Sequence, residues 1–398
     1  MNRAWRDECG IDGRLFSPAR GACADHAPVT VRDTYKRLGQ GMREPSASRP
    51  CHDAAMTVLI SHTTALWILC SPRLRAALGA CRGVVTLGTP RELADRLPNI
   101  CKVLGWNAAG CRAIDILVRP STNRRKTQLA YPHAWTRPLP EGALLSLCDG
   151  VAVASPELAF LQMAEYLDVI ELAQLACSLC GGYFPSADER GFVDRQPLTS
   201  IERIDGFLAK LRGTRNVTKA RRALRCAHDH ARSPMETTTA MLLSMSRRRG
   251  GYGLPKPQLN HRIELPRDVA AVAGTGHFTV DLFYQRAGKP SGVAIEYLGR
   301  AYHKDVARDI TRELLLKRAG CPVVDVTISQ IVRSDLRNQL VGDIAHEIGY
   351  RLRKGTPRIR ERRNDLLNRI LPHPSQISPD GSVTWEKPAW ALPAELAT

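Results

Sequence analysis

The sequence predicts an α/β chain of more than one domain, and three observations carry that expectation. Its 398 residues exceed one ordinary domain, and a hydrophobic content of 43% can fill a core in each of two. Short apolar runs such as Ala113–Val118 and Val151–Ala154 alternate with segments of helical spacing. Further on, Phe278–Tyr284 and Val293–Leu298 read as two strands around a loop, Arg286–Gly292, that holds Gly288, Pro290 and Gly292.

Taken in order, residues 1–54 are rich in Arg, Asp, Gly and Pro, show no period, and are expected to form a flexible extension. Order is expected from Met56–Ile60, after which Ser61 can cap a helix through Leu66, Trp67 and Leu69. Val84–Leu87 and Ala113–Val118 read as strands, and Asp149-Gly150 as a turn into the strand Val151–Ala154. Ser155-Pro156-Glu157 supplies a cap, a first-turn proline and an acid facing the helix dipole. Helices follow at about 157–167 and 168–180, the second closed by Gly181-Gly182.

The polar stretch Pro185–Pro197 reads as a linker, opening a region of linker and basic helices over 185–232. A helix from Ser200 has Ile204, Phe207, Leu208 and Leu211 on one face, and the next carries Arg215, Lys219, Arg221, Arg222 and Arg225 around Ala220, Ala223 and Leu224. Such a basic face is either solvated or a phosphate contact. Beyond 334, a basic helical appendage over 335–370 includes Arg358, Arg360, Arg362 and Arg363, and the Pro-rich tail 371–398 is expected to lack order.

A net charge of +18 favours a polyanionic partner, since phosphate contacts release counterions. No apolar run reaches the roughly 18 residues that span a bilayer, and Met1–Gly10 lacks an apolar signal core, so a cytoplasmic location without membrane contact is expected. The 12 cysteines are scattered, with Cys70, Cys101 and Cys321 in apolar segments, which suits reduced buried thiols. Cys177 and Cys180 form a CxxC that Cys226, His228 and His230 could extend to a zinc site, but the spacing matches no zinc module and core packing is the better reading.

The chemistry concentrates in 233–334. Ser233-Pro234-Met235-Glu236 starts a helix through Leu242, Leu243 and Met245. A turn over Gly253–Asn260 enters an extended stretch, and then come the two strands with Asp281 and Glu296 near their middles. His303 precedes a helix with Asp309, Arg312, Leu315 and Leu316 that ends at Gly320, before a last strand at Val323–Thr327. Carboxylates on adjacent strands can converge on one hard cation, which takes oxygen ligands. Asp281 and Glu296 are therefore the expected ligands of Mg²⁺ or Mn²⁺, Glu236 can complete the shell or position a water, and His303 can move a proton. Taken singly, each acid is more often a solvent-facing partner of a basic side chain, and the order of the whole set is the specific signal.

On these residues, 233–334 resembles the small endonuclease-like domains related to very-short-patch repair endonuclease, within the PD-(D/E)XK superfamily. That family runs helix glutamate, strand aspartate, Glu-x-Asp-Gly, histidine, then a helix with Asp-x-x-Arg. The matching positions are Glu236, Asp281, Glu296 with Gly299, His303, and Asp309 with Arg312. The resemblance implies a restriction-endonuclease-like mixed sheet flanked by helices, Mg²⁺ dependence and DNA as substrate. The departure is Leu298, which stands where the family has Asp and the wider superfamily Lys, and Lys304 is the nearest replacement. A local pair between Asp309 and Arg312 is the mundane role for both.

Residues 55–184 resemble the C-terminal domain of AbiEi-type antitoxins, which are DNA-associated regulators, through Ser61–Leu66 and Ser155-Pro156-Glu157 with its helix. No helix-turn-helix pattern precedes it. The expected function is DNA cleavage, with Lys219, Arg221, Arg222, Arg225 and Lys304 as backbone contacts. The competing expectation is a non-catalytic DNA-binding antitoxin or regulator on a degenerate nuclease fold, with a cognate toxin or other protein as partner. An RNA-directed nuclease ranks last, because few aromatics are on offer for base stacking.

Overall fold

In a computed structural model, residues 58–81, 85–105, 113–120, 126–185, 192–286, 292–298, 306–372, 374–377 and 383–385 are described, with backbone alone at 72–73, 306–309, 374–377 and 383–385. The fold is mixed α/β with two mixed sheets. The first sheet is built from β1 (Val58–Ile60), β2 (Gly79–Ala80), β3 (Ile114–Val118), β4 (Ala130–Ala134), β5 (Leu144–Cys148) and β6 (Val151–Ala154), in the order β2-β5-β6-β1-β3-β4. The pairs β1–β6 and β3–β4 are parallel and the others antiparallel. The central strands β1 and β6 are buried along their whole length, which is why they read as unbroken apolar runs.

Two expected elements differ. Only Val85 of the 84–87 run forms a bridge, and Val84 lies outside the described residues. Thr89 closes a capping box with Glu92, and Pro90 opens the helix Pro90–Leu104, so the chain is drawn into a helix start. Ser61 occupies the cap position of the helix His62–Cys70 but makes no side-chain cap bond, because its Oγ is 2.9 Å from His62 Nδ1. Ser155 does cap: its Oγ accepts from the Leu158 N–H. It introduces the helix Pro156–Met163, and Asp168 caps the next, Val169–Leu179. Gly181 is needed for close approach, since a Cβ there would lie 2.7 Å from both the Ala231 and Cys177 carbonyl oxygens.

Across the start of the stretch read as a linker, β7 (Tyr183–Pro185) pairs antiparallel with β8 (Phe192–Asp194). The helix Ile201–Lys210 buries Ile204, Phe207 and Leu208, and Leu211 follows into the core. Cys177 and Cys180 are buried free thiols, and Cys177 Sγ accepts from the His228 N–H. One hydrophobic cluster runs from Val58 to Leu371 and includes Leu242, Leu282, Ile344 and Leu367.

The second sheet consists of β9 (Gln258–Glu264), β10 (His277–Gln285), β11 (Gly292–Tyr297) and β12 (Val323–Val326), in the order β12-β11-β10-β9. β9, β10 and β11 are antiparallel neighbours. β12 runs parallel to β11, as the intervening helix Val306–Arg318 allows.

The expected basic appendage is tied in. In the helix Pro357–Ile370, Leu366, Leu367 and Ile370 enter the main cluster, and Thr238 Oγ1 donates to the Ile370 carbonyl at 2.7 Å. Arg363, expected at a surface, is buried with its guanidinium 3.6 Å from the Tyr252 ring centre. The tail was expected to lack order, yet Pro374–Ile377 pairs antiparallel with Val383–Trp385. No helix among the described residues is long and apolar enough to cross a membrane. Residues 1–54, Gly299, His303 and Lys304 lie outside the described residues.

Candidate active site

Glu236 enters the site from a helix start. Ser233 has extended backbone, its Oγ accepts the Glu236 N–H at 3.2 Å, and Pro234 sets the first turn of Pro234–Ser244. That places Glu236 in the first turn, where it is buried and turned back on the incoming chain. Its Oε2 accepts from the Arg232 N–H at 2.8 Å and from Asn260 Nδ2 at 2.6 Å. Asn260 also donates to the His230 carbonyl at 2.8 Å, and it adopts φ 48 inside β9. That left-handed backbone interrupts the β9–β10 ladder between the pairs Val280–His261 and Leu282–Leu259.

Asp281 and Glu296 come from β10 and β11. The register pairs Leu282 with Ile295, so Asp281 faces Glu296 one position further on. Directly opposed residues of an antiparallel pair project to the same side. Asp281 Oδ2 accepts the Tyr297 N–H at 2.9 Å. Glu296 in turn pairs with Asp325 of β12, so the row runs Asp281, Glu296, Asp325, and Asn260 adjoins it through its bond to Glu236.

Arg312 supplies the positive charge. Its guanidinium donates to Glu296 Oε1 at 2.9 Å and to the Thr279 carbonyl at 2.6 Å, and lies 5.5 Å from the Phe278 ring centre. Arg312 reaches across from its helix to the sheet, and the side chain of Asp309, its expected local partner, lies outside the described residues.

Burial and mutual repulsion set the electrostatics. Burial chiefly, and then Asp281, push the Glu236 carboxyl up to about 7. Burial, Asp281 and Asp325 push Glu296 up to about 7 against the opposing pull of Arg312. Burial raises Asp281 too, opposed by the Tyr297 N–H, Arg312 and Arg232. The site thus holds more acid than its arginines neutralise.

This donor set suits a hard divalent cation. Among the described residues no group of three His, Cys, Asp or Glu side chains is spaced to close a metal shell. Mg²⁺ does not require one, since it commonly binds one or two carboxylates and completes its shell with water and phosphate oxygens. Asp281 and Glu296 fit that role, with Arg312 as the competitor for Glu296.

Leu298 is half-buried, and its N–H extends the sheet by donating to the Val326 carbonyl at 2.8 Å. Of the basic residues expected to contact DNA, Lys219 and Arg221 have internal partners. Lys219 Nζ donates to the Ala164 carbonyl at 2.9 Å, at the end of Pro156–Met163, and Arg221 pairs with Asp205 at 3.3 Å. Arg222 and Arg225 are exposed.

Residue-by-residue reading overlooked Asn260 and Asp325. Their membership depends on strand register across the whole sheet, for which the local sequence holds no signal. No protein-family model, curated protein or solved structure matches this chain.

Proposed function

We propose that this chain is a Mg²⁺- or Mn²⁺-dependent endonuclease that hydrolyses phosphodiester bonds of DNA. The observation that carries it is the gathering of buried Glu236 with half-buried Asp281 and Glu296: burial raises all three carboxyls, and Asp281 further raises both glutamates. Strongly perturbed acids with specific charged neighbours are more common at functional sites than elsewhere. A restriction-endonuclease-like form of the second sheet is part of the same proposal.

Asp281 and Glu296 would hold the cation. When bound, a divalent cation polarises the scissile phosphate and makes the attacking water more acidic. Glu236, held by the Arg232 N–H and Asn260 and raised by burial, can take up or return a proton. Arg312 aligns Glu296 and offsets charge beside it. His303 is proposed as a proton-transfer group, and Arg222, Arg225 and Lys304 as contacts to the DNA backbone, with Lys219 and Arg221 behind them.

A second reading has its own support: a non-catalytic DNA-binding regulator of antitoxin type, with a toxin or other protein as partner. Leu298 brings no charge to the site, and Arg312 already occupies Glu296.

The deciding experiment is cleavage of supercoiled plasmid in Mg²⁺ or Mn²⁺, with Glu296→Ala as control. Nicking that disappears in the variant supports the enzyme. DNA retarded on a gel but uncut in either metal supports the regulator.

A further inference from the structure

A cavity of about 540 Å³ opens beside the edge strand β4, between the helix Pro156–Met163 and the Gly213–Asn216 turn, and its lining includes none of the acids above. It lies within the size range of small-molecule sites. Several donors in its lining have no partner among the described residues. Gln162 is 5% exposed, and its Oε1 accepts the His62 N–H at 2.9 Å, which leaves the amide nitrogen as the other end. That Nε2, the indole Nε1 of Trp135 and the Thr214 hydroxyl are all buried without a hydrogen-bond partner among the described residues. Buried donors are costly to leave unpaired, and these three belong to residues that line one cavity.

One wall is aromatic and held firmly. His62 stacks on His133 with ring centres 3.7 Å apart. His133 Nε2 is 2.7 Å from Asp115 Oδ1, and Thr64 donates to the other oxygen of that carboxylate through its N–H and its hydroxyl. His62 begins its helix at φ 47, a left-handed backbone uncommon outside glycine. Burial holds His62 neutral, lowered to about 3, so this wall carries no charge from it. At the rim are the exposed guanidiniums of Arg137 and Arg215, and the one acid among the described lining residues, Glu165, faces Arg215 at 3.5 Å.

The lining therefore combines an aromatic wall, donors that need acceptors, and cationic groups at the mouth. We propose that this cavity binds a nucleoside monophosphate, its base against the His62–His133 wall, the acceptor atoms of the base toward Trp135 and Gln162, and its phosphate at Arg137 and Arg215. The site is separate from the acid cluster and does not depend on whether that cluster cuts DNA.

The test is isothermal titration of the full chain with the four common nucleoside 5′-monophosphates, with the parent nucleosides and inorganic phosphate alongside. At least one monophosphate is expected to saturate, with its nucleoside and free phosphate each about tenfold weaker or worse. Gln162→Glu keeps the acceptor for His62 and replaces the donor, and Arg215→Ala removes a rim cation. Each is expected to weaken binding about tenfold. If Gln162→Glu fails to fold, Thr214→Val with Arg215→Ala carries the same expectation. No saturation by any monophosphate at millimolar concentration overturns the proposal, as does binding that the folded variants leave unchanged. A 5′-phosphorylated oligonucleotide that displaces the monophosphate assigns the site to a strand end; failure to displace it assigns the site to the free nucleotide.

Discussion

Arg312 and Glu296 stand 2.9 Å apart, joining a helix to the middle of a four-stranded sheet where Asp281 and Asp325 also bear on Glu296. The same guanidinium holds the Thr279 carbonyl, so it ties down the strand that carries Asp281 as well. Removing it strips a charge-assisted contact from a carboxyl that burial already disfavours. Arg312→Ala should destabilise the fold by roughly 1–3 kcal/mol, read by urea unfolding at pH 7. Arg312→Lys should recover only part, because an ammonium lacks the planar fork that reaches both partners. A variant as stable as wild type would show that the pair contributes nothing.

The acid cluster makes stability depend on pH. Glu236 and Glu296 are raised to about 7 in the folded chain from an ordinary 4.5. Between those values the folded state binds more protons than the unfolded one, so stability falls as pH rises through that window. Glu296→Gln should flatten the decline by on the order of 2 kcal/mol between pH 5 and 8. Millimolar Mg²⁺ should restore part of the wild type's loss at pH 8 and none of the variant's. Thermal melts across pH with and without the cation decide this, and a flat wild-type profile would count against the raised carboxyls.

DNA retention should depend unequally on the basic helix. Arg222 and Arg225 are exposed, whereas Lys219 and Arg221 hold Ala164 and Asp205. Arg222→Ala with Arg225→Ala should lower the slope of log affinity against log salt by about 1 for each phosphate no longer neutralised, at unchanged melting temperature. Lys219→Ala should instead lower the melting temperature. Equal effects on binding from all three changes would mean that burial does not sort these residues.

Arg363 belongs to the core despite its charge. It donates to the Gly250 carbonyl and stacks on Tyr252, while Arg337, also buried, donates to the Ile331 and Val332 carbonyls. Arg363→Ala should cost about 2–4 kcal/mol and leave DNA affinity unchanged in the folded fraction. Loss of DNA affinity in a variant of normal stability would place Arg363 at an interface instead.

What the sequence by itself determined is local. Ser155 and Ser233 cap their helices because a hydroxyl two or three residues ahead of a free N–H needs only short-range geometry. Alternation and a Gly- and Pro-rich loop sufficed to pair the Asp281 strand with the Glu296 strand. The tertiary structure decided what depends on distant partners. Ser61 reads as a cap, but its hydroxyl is drawn to His62. That Arg312 meets Glu296 depends on how its helix packs against the sheet. Asp325 joins the row only through the register of β12, and Asn260 meets Glu236 at a break in the β9–β10 ladder. A one-residue slip in register sends a strand's side chains to the opposite face, and that choice is made by packing over the whole sheet, so no short stretch of residues encodes it.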